Sequence, residues 1–347
     1  MNFENTDKIK KILVLKNDAV GDLCQSLPAI QNIIDIKNSK VEICLSERSQ
    51  NFKFLINGDN IKFKILNYDL SLKEKFLIFL KCLIEKIDRV YILTPKNFYF
   101  YLPLFFRNIR FYAICLNGRY NYLRPNKFLR KFLYKYEIND RSIEYKRTST
   151  ENIQKKLTYE DSNSIYQVNK DLNVSSFLRE NLPTNYVYFH LKKKTIDKLE
   201  WSVDDLNYLF NHLLKYYDNV VFTRDIENNK EQIDFSERYN VINFKLKMLN
   251  KKNNNIFLFD EIEGLDLFNT IKFSSKIIAF HGMMTNLGSL LKKKITDLWF
   301  FDTKNLNDYM NYRNAFYEFK PIYNGYDFLI PSKDIKKTFR KLIFSIK

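Results

Sequence analysis

The stretch ILVLKNDAVGDLCQSLPAI, residues 12–30, joins a short apolar run to a polar break and then to a second apolar segment. Apolar residues of the second segment recur from Leu23 to Ile34 at the spacing of one helix face. The chain has seven glycines in 347 residues, and one of them, Gly21, stands in the break beside Asp22. The stretch therefore predicts a strand, a short loop and a helix that packs on the sheet.

Strand-like runs alternate with helix-like segments along the chain. The runs are KKILVLK, VEICL, IKFKIL, RVYIL and RFYAICL in the first half and YVYFHL, NVVFT, KIIAF and ITDLWFF in the second. Apolar strands covered by helices are typical of a parallel sheet buried on both faces. The pattern lapses at residues 173–184, a predicted linker. We therefore expect an α/β protein with two Rossmann-like, doubly wound domains that face a central cleft. The predicted domains are residues 1–175 and 176–330. A basic C-terminal helix over 331–347 follows them and can pack back on the first domain.

Cysteine usage and hydropathy predict the compartment. The chain has four scattered cysteines, Cys24, Cys44, Cys82 and Cys115. They form no CxxC pair and no zinc-ligand spacing, so a reduced protein without a metal is expected. The N-terminus lacks a signal-peptide pattern, and no run reaches the roughly 18 apolar residues of a membrane-spanning helix. These features predict a cytoplasmic protein.

Nearly half of the net charge of +17 lies in one segment. Between Arg107 and Arg147, eleven basic residues stand against three acidic ones. Such a field attracts polyanions, whether nucleic acid, anionic lipid headgroups or a phosphorylated glycolipid. The alternative is a solvated basic surface without a dedicated partner. No nucleic-acid-binding module is apparent, which argues against an RNA- or DNA-binding protein.

The polar break at Asp22 falls where an open parallel sheet binds its ligands, beyond the carboxyl end of a strand. Gly21 there permits a tight turn or a close approach to a ligand. Asp22 has two interpretations: a general base aimed into the cleft, or an acid that stabilises the start of a helix. Asp18 competes for either role. The break matches neither GxGxxG nor GxxxxGK[ST], which disfavours a Rossmann dehydrogenase or a P-loop enzyme.

The same stretch resembles the opening of glycosyltransferase family 9, the ADP-heptose:lipopolysaccharide heptosyltransferases. Members begin with a strand, a loop ending in Gly-Asp and a helix carrying a Pro-Ala pair, here Pro28-Ala29. The resemblance continues through KVEICLSERSQNFKFLINGDNIKFKI and then thins until the second half. It implies a GT-B architecture and an inverting, metal-independent transfer without a cofactor, in which Asp22 takes the proton of the acceptor hydroxyl.

The resemblance also implies donor-binding residues in the second half. The stretch KIIAFHGMMTNLGSLL matches the family's acid–Ser/Thr–Gly motif, which opens a helix beneath the donor diphosphate. Phe280 stands at the position of the acid, and Asn286, or alternatively Thr285, stands at the position of a His. The donor-binding residues implied around the two Gly-containing loops are Gly21, His281, Gly282, Met283, Thr285 and Asn286.

Two upstream segments of the second half add candidates. In HLKKKTIDKLEWSVDDL, Lys198 matches a family lysine that precedes a Trp. The resemblance implies that this lysine neutralises the negative charge on the leaving diphosphate. Other candidates for the same role are Lys192, Lys193 and Lys194. In NVVFTRDIEN, the residues expected to face the nucleotide or its ribose are Thr223, Arg224 and Glu227.

The acceptor implied by the resemblance is an anionic, lipid-linked core saccharide at the inner face of the inner membrane. The residues assigned to it are Asp18, Arg119 and Arg124, and the protein is expected to be peripheral on that membrane. The aromatic run FYFYLPLFF before the basic segment suits either membrane contact or a buried helix. Alternatives within the same resemblance are another nucleotide sugar, a capsule acceptor, or a relative that binds the donor without catalysis.

Overall fold

The computed structural model describes residues 9–117, 123–140, 150–158, 166–169, 172–225, 234–300 and 325–346. The chain divides into two compact units, Met1–Asn169 and Lys170–Lys347. The division lies close to the predicted boundary after residue 175. The predicted linker contains a short helix and belongs to the second unit.

The first unit is a parallel sheet with helices along the chain between its strands. Its elements are β1 Lys10–Lys16, α1 Val20–Ile34, β2 Ser39–Ser46, a 3-10 helix Gln50–Leu55, β3 Ile61–Leu66, α2 Leu72–Ile84, β4 Arg89–Ile92, α3 Asn97–Phe105, β5 Arg110–Asn117, β6 Leu123–Arg124, α4 Lys127–Arg130, β7 Lys135–Asp140 and α5 Thr150–Thr158. The strand order is β3-β2-β1-β4-β5, with parallel β7 and antiparallel β6 both paired to β5. The order reverses between β1 and β4, so this sheet has its switch point where β1 ends.

The opening stretch folds as predicted. Leu23, Leu27 and Ile30 lie on the buried face of α1, each at most 1% exposed. Strand β1 contributes the buried residues Leu13 and Leu15 to the same unit. An apolar strand followed by a helix with one apolar face therefore determines this β–α unit.

The second unit repeats the architecture on a larger sheet. Its elements are α6 Ser176–Asn181, β8 Tyr186–Leu191, α7 Lys193–Leu199, α8 Val203–Leu213, β9 Asn219–Arg224, β10 Asn240–Asn243, β11 Met248–Asn250, β12 Ile256–Asp260, α9 Gly264–Phe273, β13 Lys276–Phe280, α10 Met283–Leu290, β14 Ile295–Leu298, β15 Tyr326–Leu329 and α11 Ile335–Ile346. The strand order is β11-β10-β12-β9-β8-β13-β14-β15, parallel except for β10–β11. Its order reverses between β8 and β13.

The C-terminal helix α11 is an integral part of the second unit. Phe339 and Leu342 of α11 belong to the unit's apolar core, together with Phe210 of α8. The expected C-terminal helix thus belongs to the second unit, and its packing on the first domain stays a prediction. None of the helices in the described ranges is both long and apolar enough to cross a bilayer.

Candidate functional site

The end of β1 in the first unit holds a buried polar network at the switch point. Asp18 Oδ2 accepts hydrogen bonds from Lys16 Nζ at 2.7 Å and from Thr94 Oγ1, beyond β4, at 2.9 Å. Ser46 Oγ, at the end of β2, donates to the Asp18 carbonyl oxygen at 2.5 Å. These bonds tie the ends of three neighbouring strands to the loop that leads into α1.

Asp18 is a buried residue of this loop. The residue is 8% exposed, and burial raises the pKa of its carboxyl, with Lys16 opposing the rise and Asp22 adding to it. Its second oxygen, Oδ1, is buried without a hydrogen-bond partner among the described residues. The carboxyl is thus buried and bonded to Lys16 and Thr94, and its assignment to the acceptor stays a prediction.

Asp22 differs from Asp18 in being accessible. It lies in the first turn of α1 with its side chain exposed, and its carboxylate makes no hydrogen bond to the part of the chain that the structure describes. No side chain makes a capping hydrogen bond at Ala19, the N-cap residue of α1, so Asp22 is not part of a capping box. Interaction with the helix dipole remains as its structural role, and its carboxylate is free to meet a ligand.

Gly21 has a helical backbone as the second residue of α1 and no positive φ. The expected tight turn at this glycine is therefore wrong. Close approach of a ligand to the first turn of α1 stays as the prediction for Gly21.

In the second unit, the turn between β13 and α10 is built around Gly282. Its φ of +151° is a conformation that favours glycine. The Gly282 N–H donates to Thr285 Oγ1 at 3.3 Å, and Asn286 Nδ2 donates to the Gly282 carbonyl at 3.0 Å. Thr285 and Asn286, predicted to bind the donor, are thus buried residues that shape the turn. Met283, the first residue of α10, is half-buried.

A buried carboxylate that the sequence analysis missed anchors this turn. Asp297 of β14 is fully buried and accepts hydrogen bonds from His281 Nδ1 at 2.7 Å, Thr285 Oγ1 at 3.0 Å and Tyr326 OH at 2.8 Å. His281 also packs against Trp299, with ring centroids 3.5 Å apart. Phe280, at the position where the motif would place an acid, is a core residue, and Asp297 lies on the neighbouring strand β14.

Lys192 directly follows strand β8 and lies beside the turn at Gly282. Its Nζ donates to the His281 carbonyl, and a Cβ on Gly282 would lie 2.7 Å from that Nζ. Burial lowers the pKa of Lys192, while Asp225 and Asp297 oppose the shift. Lys198, the lysine favoured by the resemblance, is exposed in the last turn of α7. Lys192 therefore becomes the lysine that we favour for the diphosphate charge, and the assignment of Lys198 stays a prediction from the resemblance.

The residues predicted to face the nucleotide at β9 have partners of their own. Thr223 is buried, with Oγ1 2.9 Å from His190 Nδ1. Arg224 forms a bidentate pair with Asp260, with both N–O distances 2.9 Å. Glu227 lies outside the described residues.

The acceptor arginines are only partly covered by the structure. Arg124 ends β6 and is half-buried, while Arg119 lies outside the described ranges. Their assignment to the acceptor stays a prediction.

A Gly282→Ala substitution is expected to lower the free energy of unfolding by about 1–3 kcal/mol, because alanine must adopt a φ that it disfavours. The new methyl would also displace the Lys192 ammonium. Urea unfolding measures the loss. Gly21→Ala is the matched control, because its helical backbone accepts a Cβ. An unchanged stability in Gly282→Ala would mean that the turn relaxes without cost.

Comparison with known proteins identifies relatives by structure alone. No protein-family model matches the sequence, and no curated protein is significantly similar to it. The E. coli ADP-heptose lps heptosyltransferase II is similar with a TM-score of 0.62 at 12% identity, covering 97% of this chain and 98% of that one. The E. coli heptosyltransferase WaaC with ADP has a TM-score of 0.59 at 11% identity, covering 97% and 100%. The UDP-GlcNAc 2-epimerase from Methanocaldococcus jannaschii has a TM-score of 0.56 at 12% identity, covering 97% and 93%.

These similarities confirm the predicted fold class. The resemblance to the heptosyltransferases, drawn from the opening stretch, extends in structure over nearly the whole chain. At identities of 11–12% such likeness establishes the fold, an α/β chain of two Rossmann-like units that glycosyltransferases and epimerases share. Fold alone does not assign a reaction.

Proposed function

We propose that this chain is an inverting, metal-independent glycosyltransferase of the family 9 type, which moves heptose from ADP-heptose to a lipopolysaccharide core-type acceptor. The observation that carries the proposal is the Lys192 ammonium held beside Gly282 at the amino end of α10. The backbone N–H groups of a helix start and a neighbouring cation together suit a diphosphate. This site lies at the switch point of the second sheet, where α/β folds bind ligands.

We assign the group that accepts the proton to the first unit, and the groups that stabilise the leaving diphosphate to the second unit. Asp22 accepts the proton of the acceptor hydroxyl as that oxygen attacks the anomeric carbon of the donor. The bond between the anomeric carbon and the diphosphate oxygen breaks, with inversion, and ADP leaves. Lys192 and the N–H groups at the start of α10 stabilise the negative charge that develops on the leaving diphosphate. The reaction so written needs neither a metal nor a cofactor.

The acceptor belongs to the same proposal. An anionic, lipid-linked saccharide suits the basic segment that begins at Arg107, and such an acceptor places the protein at the inner face of the inner membrane. We propose heptose and ADP because the opening stretch resembles the heptosyltransferases and because the similar structures include an ADP-heptose heptosyltransferase and WaaC with ADP.

Calorimetry with a panel of nucleotides tests the donor. ADP and ADP-heptose are expected to bind, equally well with and without a metal chelator, and UDP and UDP-GlcNAc to bind at least tenfold more weakly. Preference for UDP sugars would discard heptose and leave an epimerase-like or other transferase reaction. Donor binding without transfer to any core-type acceptor would indicate a catalytically silent relative, and no nucleotide binding would reject the proposal.

A further inference from the structure

Helix α2 of the first unit is apolar on both of its sides. Ile78 and Cys82 are buried against the unit. The opposite side exposes five large apolar side chains, Leu72 (83%), Phe76 (61%), Leu77 (39%), Leu83 (63%) and Ile84 (74%). A surface helix normally places charged or polar residues on its outer face. A contiguous apolar face of this kind marks a surface that meets another apolar phase.

The apolar surface continues from α2 towards α4. Phe79 of α2 packs edge-on against Phe105 of α3, with ring centroids 5.6 Å apart, and Phe105 is 65% exposed. Just after α3, the Arg107 guanidinium lies 4.1 Å from the ring centroid of Phe132. Phe132 packs in turn against Phe128 of α4, which is 59% exposed. We call the outer side of α2, α3 and α4 the aromatic–basic face.

Helix α2 carries Lys73, Lys75 and Lys81 against Glu74, and the segment that follows it from Arg89 carries charge of one sign. From Arg89 to Tyr136 the sequence contains ten Lys or Arg and no Asp or Glu. The exposed cations that belong to the aromatic–basic face are Arg107, Lys127 and Lys131. An anionic bilayer complements both properties, because its hydrocarbon boundary takes the apolar side chains while its headgroups take the cations. Nucleic acid offers the cations phosphates but offers Leu72 and Leu83 no comparable apolar phase.

We propose that the aromatic–basic face docks the protein on an anionic lipid bilayer. The inference deepens the proposed function, since a lipid-linked acceptor would be met at that surface, but docking can be measured without nucleotide or transfer. The side chains that carry it are exposed, so replacing them leaves the core of the unit intact.

Vesicle co-sedimentation of the full chain tests the proposal. Wild type is expected to bind vesicles of phosphatidylcholine with one-quarter phosphatidylglycerol at least tenfold more tightly than pure phosphatidylcholine vesicles, and less tightly as salt is raised. A Leu72→Ser/Phe76→Ser/Leu83→Ser variant and an Arg107→Gln/Lys127→Gln/Lys131→Gln variant are each expected to lose binding at least tenfold. Should the first triple variant fail to fold, Phe76→Ser alone provides the test with a smaller loss.

The matched control lies in the second unit. Leu246 and Met248 are each 62% exposed there, beside the exposed Lys251. The variant Leu246→Ser/Met248→Ser/Lys251→Gln is expected to bind vesicles as wild type does. Equal binding by all variants, or no binding by wild type, would overturn the proposal. So would a dimer in sedimentation velocity that the α2 variant alone dissociates, because the face would then join two copies of the chain. Nucleotide binding, measured on the same variants, reports on the proposed function separately.

Discussion

An Asp22→Asn variant is expected to lose sugar transfer by about 10²- to 10⁴-fold in kcat, with little change in its affinity for ADP. The amide is nearly isosteric with the carboxylate but cannot take the proton of the acceptor hydroxyl. The exposed side chain of Asp22, without a hydrogen bond to the described residues, can meet that hydroxyl directly. Single-turnover transfer with ADP-heptose measures kcat, and calorimetry measures ADP binding.

Stability separates this role from the structural alternative. An acid in the first turn of a helix contributes only about 0.3–1 kcal/mol through the dipole, so Asp22→Asn is expected to lower the free energy of unfolding by no more than that. Asp35 is the matched control, because it is an exposed acid at the other end of α1, hydrogen-bonded to Gln31. Asp35→Asn is expected to retain transfer. A kcat preserved in Asp22→Asn would leave Asp22 only its place in the helix.

The local parts of both sites could be predicted from the sequence because they lie in single β–α units. The apolar run ending at Lys16 and the helix face beginning at Leu23 belong to one continuous stretch. The same holds for the run ending at Phe280 and the helix that starts at Met283. The short strand β12, IFLFD, was missed because polar residues flank it closely and no periodicity distinguishes so short a run.

The missed site residues depend on strand pairing between distant parts of the sequence. His190 of β8 pairs with Ala279 of β13, so that Lys192, two residues on, comes level with His281. Ala279 also pairs with Asp297 of β14, which brings that carboxylate beneath the turn. A run of three lysines gives no hint of which one this register selects. A motif read along one strand likewise cannot show that Asp297, on the next strand, accepts hydrogen bonds from the residues of this turn.

A Lys192→Met variant is expected to lower kcat by about 10²- to 10³-fold and to weaken ADP binding, because the leaving diphosphate loses a preorganised cation. Methionine fills much of the same volume, so the turn at Gly282 is expected to keep its shape. The matched control is Lys198→Met, which removes an exposed cation from α7, the helix that directly follows Lys192. If Lys198→Met lost transfer while Lys192→Met kept it, the lysine assigned by the resemblance would be correct and the assignment from the structure wrong.

The pH dependence of ADP binding distinguishes an electrostatic role of Lys192 from a role in packing alone. Burial lowers the pKa of Lys192, so its ammonium loses the proton at a pH below the usual 10.5 of lysine. Affinity for ADP is therefore expected to fall as the pH rises towards 10.5, and to begin falling earlier than an ordinary lysine would allow. Lys192→Arg keeps its charge over this range and is expected to remove the fall, whereas Lys192→Met binds weakly at every pH. An identical pH profile in wild type and Lys192→Arg would exclude Lys192 from the diphosphate site.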